Sequence, residues 1–253
     1  YISYMKKYNI FFVLNSPYFT FGKILIRSIY SNCDMNCVSK IYVLNTGLTV
    51  EEVDFLKSFD KVEVIDSGLQ TEFSNSWSED WHTNISLKLR VLKSIISQVT
   101  DPVMMIDGDC MVTKDLVKLL DKEGDIQICY RGDSNPDNPY LGSYMCVINN
   151  KSCIGFIDDC ISEMETSANR WLDGKLWPEE SISIGRVATK NKRNLSITDL
   201  PISEVSEFNS DNIKNCSIVH FKGSTHSYSE EELIQTRIFD RGFGDYVKEY
   251  LDE

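Results

Sequence analysis

The sequence predicts an α/β fold, a doubly wound and mostly parallel sheet flanked by helices. Three observations carry the prediction. Short apolar runs, among them NIFFVLN (Asn9 to Asn15), SKIYVLNTG and PVMMID, recur along the first part of the chain. Segments with apolar residues at helical spacing lie between them. The turns that join the two kinds of segment are short, and strands alternating with helices across short turns pair in parallel.

NIFFVLN is ended by Asn-Ser-Pro and reads as a buried strand whose functional end is Asn15-Ser16. In FGKILIRSIYSN, Phe21, Ile24, Leu25 and Ile29 are spaced for one helix face. SKIYVLNTG is a second buried strand. LTVEEVDFLKSF follows, with Thr49 as N-cap and Glu52 three residues on, the pattern of a capping box. KVEVIDSG alternates as a strand. Residues 85–97 form a helix with Leu89, Leu92, Ile95 and Ile96 on one face, and PVMMID is a fourth strand. In the second half, DIQICYRGD and GSYMCVIN read as strands around a Pro- and Asn-rich loop. Residues 153–172 read as a helix, PEESISIGRVATK as another, SIVHFKG as a last strand, and the C-terminal segment as amphipathic, acidic helix. With no repeat and no linker, a single domain over 1–253 is expected, divided near residue 110 into a nucleotide-sugar half (1–110) and an acceptor half (111–253) that ends in a metal-ligand strand and helix.

Composition narrows the function. The chain is 42% hydrophobic and 25% charged, ordinary for a globular protein, and its net charge of −12 argues against nucleic acid as a partner. An acidic protein can instead meet anionic ligands through a bound cation. No apolar run reaches transmembrane length, and the start lacks the apolar core of a signal peptide. Several of the eight cysteines sit inside apolar strand runs, which suits reduced core thiols and a cytoplasmic protein. Cys33 and Cys37 would need a second such pair to make a zinc site.

The chemistry gathers at Asp107-Gly108-Asp109, at the carboxyl end of the fourth strand, where open α/β sheets bind ligands. A buried, unpaired carboxylate is costly, so two of them in an apolar run require a partner. On an extended strand, residues two apart point the same way, and Gly108 leaves room between them. Two hard oxygen donors suit Mn²⁺ or Mg²⁺ held together with a diphosphate. The alternative is an ordinary Asp-Gly surface turn, against which stands the apolar Cys110-Met111-Val112 that follows. His220, in the late run IVHFKGSTHS, is a further metal-ligand candidate; the alternative is a core histidine satisfied by the backbone. A bend at Gly223 would turn N–H groups and His226 toward a phosphate.

On these residues the chain resembles a GT-A glycosyltransferase, and most of all glycosyltransferase family 8, the glycogenin and bacterial galactosyltransferase group. The likeness covers nearly the whole length. NIFFVLNSPYFTFGKILIRSI resembles the family's opening strand, nucleotide loop and first helix. Asp107-Gly108-Asp109 stands at its D-x-D motif, and His220-Phe-Lys-Gly223 at its H-x-x-G. The resemblance implies a metal-dependent transferase that takes a nucleotide-diphosphate sugar, a UDP-sugar, and passes the sugar with retention to a glycan, protein or small-molecule acceptor. It implies Mn²⁺ (or Mg²⁺) on Asp109 and His220, with Asp107 sharing the metal and approaching the ribose. Leu14, Asn15, Ser16 and Tyr18 would hold base and ribose. Lys88 and Arg90 would assist the diphosphate or donor sugar; the alternative for both is a solvated helix charge. Glu180, with Glu179 as alternate, would stabilise positive charge near the anomeric carbon, or else is only the acidic first turn of a helix after Pro178.

The sequence also departs from the family. His226 stands where its H-x-x-G-x-x-K motif has lysine, YLGSYMCVIN lacks the asparagine of its Y-x-N-x-G segment, and PEES replaces its Asp-Gln-Asp. Trp77, Trp81 and His82 could form a lid or acceptor platform, or an ordinary packed loop. Two other functions remain open: a nucleotide-sugar binder that has lost transfer, and a nucleotidyltransferase. The latter normally needs a glycine-rich, basic loop after the first strand, which NSPYFTFG is not. The sequence is compatible with a homo-oligomer.

Overall fold

A computed structural model describes residues 6–68, 79–132, 139–166, 169–172, 175–206, 210–221 and 230–251. The chain begins with β1 (Tyr8–Leu14), a 3₁₀ turn at Ser16–Tyr18 and α1 (Phe19–Asn32), then β2 (Val38–Asn45), α2 (Val50–Lys57) and β3 (Val62–Asp66). After α3 (Glu79–Gln98) come β4 (Val103–Ile106), β5 (Cys110–Val112), β6 (Ile126–Tyr130) and β7 (Tyr140–Val147). The remainder holds α4 (Asn150–Thr166), β8 (Asn169–Leu172), β9 (Lys175–Pro178), α5 (Glu180–Lys190), β10 (Ile197–Pro201) and α6 (Ile202–Val205). It closes with β11 (Ile218–His220), α7 (Glu230–Ile234), a π-helical turn at Gln235–Phe239 and α8 (Gly244–Leu251).

Seven strands form the main sheet in the order β10-β6-β7-β4-β1-β2-β3. The β4-β1-β2-β3 half is parallel throughout. Strands β1 and β4 read as apolar runs because both faces are covered, whereas the edge strand β3 alternates. Ile10, Phe12 and Leu14 of β1 enter one core with Met104 and Ile106, while Phe11 enters the other with Val103 and Met105. The expected capping box is present: Thr49 Oγ1 accepts from Glu52 N, and Glu52 reaches back to Thr49 N. All eight cysteines are buried and free, as expected of core thiols. Among the described residues no helix is long and apolar enough to cross a membrane.

The main sheet is mostly parallel, as expected, with β7 alone running antiparallel to its neighbours β4 and β6. Two expectations need correction. The helix read over 153–172 stops at Thr166, and Asn169–Leu172 pairs antiparallel with Lys175–Pro178. The sequence signal for that hairpin was Asp173-Gly174 between two short apolar runs. Finally, Asp107-Gly108-Asp109 is not part of one extended strand. It is the turn between β4, in the main sheet, and β5, which leaves that sheet to form a two-stranded ribbon with β11.

Candidate active site

Because β1 and β4 are parallel neighbours, their carboxyl ends share one sheet edge, and the Asp-Gly-Asp turn lies against the end of β1. Gly108 is needed for that approach: a Cβ there would stand 2.4 Å from the Val13 carbonyl oxygen. The room it makes is for the β1 backbone. The turn then feeds β5, whose Cys110 pairs with His220 of β11. Phe221 N donates to the Asp109 carbonyl at 2.8 Å and locks the ribbon at that point. Its outer side packs on an aromatic cluster of Phe21, Phe221 and Phe243 with Met111 and Val219.

Two residues distant in sequence thus meet as side chains. Asp109 Oδ1 lies 3.2 Å from His220 Nε2, and Asp107 Oδ2 lies 3.6 Å from the same nitrogen. His220 is held from behind by Ser206, whose Oγ is 3.1 Å from Nδ1 and accepts from Ser143 Oγ at 2.8 Å. When Nδ1 carries the proton and donates to Ser206, the Nε2 lone pair can bind a cation in place of the Nε2–Asp109 contact. Cys110 also brings its sulfur into a compact set with Asp109 and His220, their donor atoms lying within 4.8 Å of one another. Burial, with the neighbouring Asp109 and Asp107, pushes that thiol well above its ordinary pKa, so it is a neutral thiol. Asp107 is the harder donor, and the Asp107, Asp109, His220 set suits a divalent cation such as Mn²⁺.

A second cluster adjoins the first. Lys88 of α3 is only 4% exposed. Its Nζ donates to Asp107 Oδ1 at 2.5 Å, to the Gly142 carbonyl at 3.2 Å and to Glu180 Oε2 at 3.3 Å. Burial works against its charge, yet the two carboxylates outweigh that and raise its pKa. Glu180, at the start of α5, fills the space left by Gly142, where a Cβ would stand 2.9 Å from its carboxyl carbon. Gly142 therefore serves to admit this carboxylate. Lys88 is shared and lies closer to Asp107, so the burial of Glu180 is only partly offset. Its pKa is pushed up to about 7 by burial, with Asp107 and Glu179 adding to the effect.

The structure distributes the other expected residues unevenly. Leu14 is a core side chain, and its carbonyl accepts from Thr46 N at 3.0 Å. Asn15 is buried at the strand end. Ser16 turns away from the carboxylates, its Oγ 2.8 Å from the Gly47 carbonyl and 2.5 Å from Glu52 Oε2. Tyr18 does reach the site. Arg90 does not: it lies one helix face round from Lys88, half exposed, in an ion pair with Glu165 of α4. Glu179 precedes α5 as its N-cap. Trp81 and His82 fall in α3 by backbone, while Trp77, Gly223 and His226 lie outside the described residues.

One residue of the candidate site escaped the sequence reading. Arg237, on the π-helical turn, points Nη1 at Asp109 Oδ2 (3.2 Å) and Nη2 at Tyr18 Oη (3.4 Å). Burial favours the neutral form of Asp109, but His220 and Arg237 outweigh it and hold the carboxyl well below the usual carboxylate range. In an acidic C-terminal segment an arginine reads as a solvated charge, so no sequence signal marked it. A surface groove lined by Phe156, Asp159, Glu163 and Lys190 lies elsewhere, along α4 and α5. It lacks the buried, mutually paired charges of the turn, so the turn is the candidate site.

Set beside solved structures, the chain has the α/β fold of GT-A glycosyltransferases. It is similar to the bifunctional glycosyltransferase WbbM at 14% identity and a TM-score of 0.62, covering 99% of this chain and 52% of that one. It is similar to the galactosyltransferase LgtC, solved with donor and acceptor sugar analogs, at 11% identity and a TM-score of 0.56, with 90% and 95% covered. The glycosyltransferase GlyE of Streptococcus pneumoniae follows at 14% identity and a TM-score of 0.53, with 97% and 63% covered. This chain therefore spans about half of WbbM and under two thirds of GlyE. No protein-family model matches the chain, and neither does any curated protein. At these identities the likeness is one of fold.

Proposed function

We propose that the protein is a glycosyltransferase that moves a sugar, with retention, from a nucleotide-diphosphate donor, a UDP-sugar, to an acceptor. The observation that carries this reading is the meeting of Asp107, Asp109 and His220 at the carboxyl edge of β1 and β4, beside the buried Lys88–Glu180 pair. Asp109 and His220 would hold Mn²⁺ or Mg²⁺, with Asp107 sharing it; when bound, such a cation neutralises charge gathering on a departing diphosphate. Asn15, the backbone at Leu14 and Ser16, and the Tyr18 ring line the approach to base and ribose. Gly223 and His226 are proposed to meet the diphosphate.

Lys88 fixes Asp107 and Glu180 in one arrangement, and its charge is available to the donor. Glu180, ionised, would stabilise an oxocarbenium-like centre electrostatically. Screening UDP- and GDP-sugars for Mn²⁺-dependent hydrolysis tests the reading; turnover with one donor that stops in excess EDTA is expected. Full activity in EDTA would remove the metal from the proposal. The Arg237–Asp109 ion pair favours a second reading, a nucleotide-sugar binder without transfer, which predicts tight donor binding and no released sugar.

A further inference from the structure

The carboxylates of the site are already paired with the chain's own cations. Lys88 serves Asp107 and Glu180. Among the described residues, Arg237 serves Asp109 alone. Both Asp109 oxygens are thereby engaged, Oδ1 with His220 and Oδ2 with Arg237. Arg237 is 5% exposed. Its guanidinium lies over the rings of Tyr18 and Phe21, 5.4 and 5.9 Å from their centroids. Its Nε is buried and, among the described residues, has no hydrogen-bond partner. An arginine stays charged at any ordinary pH, so burying one with an unused donor is costly unless the site needs the charge. The residue sits on a π-helical turn, a feature that recurs at functional sites.

We infer that Arg237 is the resident counter-cation of Asp109, with which a divalent cation arriving at Asp109 and His220 must compete. The inference rests on the proposed metal site and deepens it. A fixed positive charge so near repels a divalent cation and withholds one carboxylate oxygen from it. The same charge attracts a nucleoside diphosphate. Removing it should therefore move the two affinities in opposite directions, which a loosened structure cannot do.

The test is calorimetric titration of MnCl₂ into wild type, Arg237→Gln, Arg237→Met and Arg237→Lys, without nucleotide, and of UDP into the same proteins in EDTA. The Gln and Met variants should bind Mn²⁺ about tenfold tighter, as removal of one like charge beside an ionic site commonly gives. Arg237→Lys should stay near wild type. Saturable binding by the Gln and Met variants with none by wild type would be the same result in stronger form. Unchanged or weaker Mn²⁺ binding in folded Gln and Met variants overturns the inference, as does no saturable binding by any of the four. UDP in EDTA should bind Arg237→Gln more weakly than wild type. If no protein binds UDP while the Mn²⁺ shift appears, the nucleotide-sugar reading fails and the role of Arg237 stands. Should the Gln and Met variants both lose their circular-dichroism signature, wild type still decides. Saturating Mg²⁺ should shift the Arg237 Nε–H resonance as the Asp109 pair breaks, and an unmoved resonance overturns the inference.

Discussion

Ion pairs of the same residue types occur in two regions of this molecule and do different things. Along the outer helices, Arg90 pairs with Glu165, Lys93 with Asp158 and Arg193 with Asp159, all with side chains well exposed to water. At the β4–β5 turn, Lys88 and Arg237 pair with Asp107, Glu180 and Asp109, and both cationic side chains are 6% exposed. Exposed pairs contribute little, because water and salt screen them and two long side chains lose freedom. Buried pairs are costly to assemble and more costly to break, since removal of one partner strands a charge. The comparison shows where this fold has placed charge at the expense of stability, and that place coincides with the proposed chemistry.

The largest effect should come from Asp109→Asn. Turnover of a UDP-sugar in Mn²⁺ should fall about 10³-fold, assayed where circular dichroism is still native. Undiminished turnover would falsify the assignment of the turn as the metal site. Lys88→Met comes next: it leaves two buried carboxylates without their shared cation, and urea unfolding should show a loss of about 3 kcal/mol. A loss no greater than that of a surface pair would erase the distinction between the two regions.

Glu180→Gln keeps shape and removes charge, and kcat should drop about 10²-fold with donor affinity little changed. Glu180 titrates at about 7 in the folded protein, above its ordinary value, because it is buried. Its ionised form is the one proposed to act. The kcat/KM profile of wild type, which reports the free enzyme, should therefore rise with pH through about 7 and be lost toward acid. The Gln variant should lack that limb; a limb that persists belongs to another group. The smallest effect is expected of Arg90→Ala, within about 1 kcal/mol in stability and with turnover unchanged. A large loss of turnover there would return Arg90 to the donor-contacting role the family resemblance implied.

Much of the fold was legible because its determinants are local. The β1, α1, β2, α2 and β3 segments carry their periodicities and one complete cap within a few residues each. The unusual carboxylates of the Asp-Gly-Asp run were legible for the same reason: they violate strand preference where they stand. Their geometry was not legible. Period-two alternation was the wrong ground for expecting them to converge, since they occupy a turn, and it is pairing of β5 with β11 that brings His220 to them.

Lys88 and Arg90 make the limit plain. Two residues apart on one helix and equivalent in charge, they differ because α3 turns one toward the sheet edge and the other toward α4. Arg237 is the stronger case. Nothing in QTRIF distinguishes it from a solvated arginine until the aromatic cluster of α1, β11 and α8 fixes the π-helical turn over Tyr18. By itself the sequence determined the α/β class, the first half of the sheet and the identity of the two aspartates, because hydrophobic period, capping and breaker residues act over short spans. Tertiary structure alone decided which charges are buried together. Desolvation and Coulomb energy depend on neighbours in space, and here those neighbours come from five separate elements.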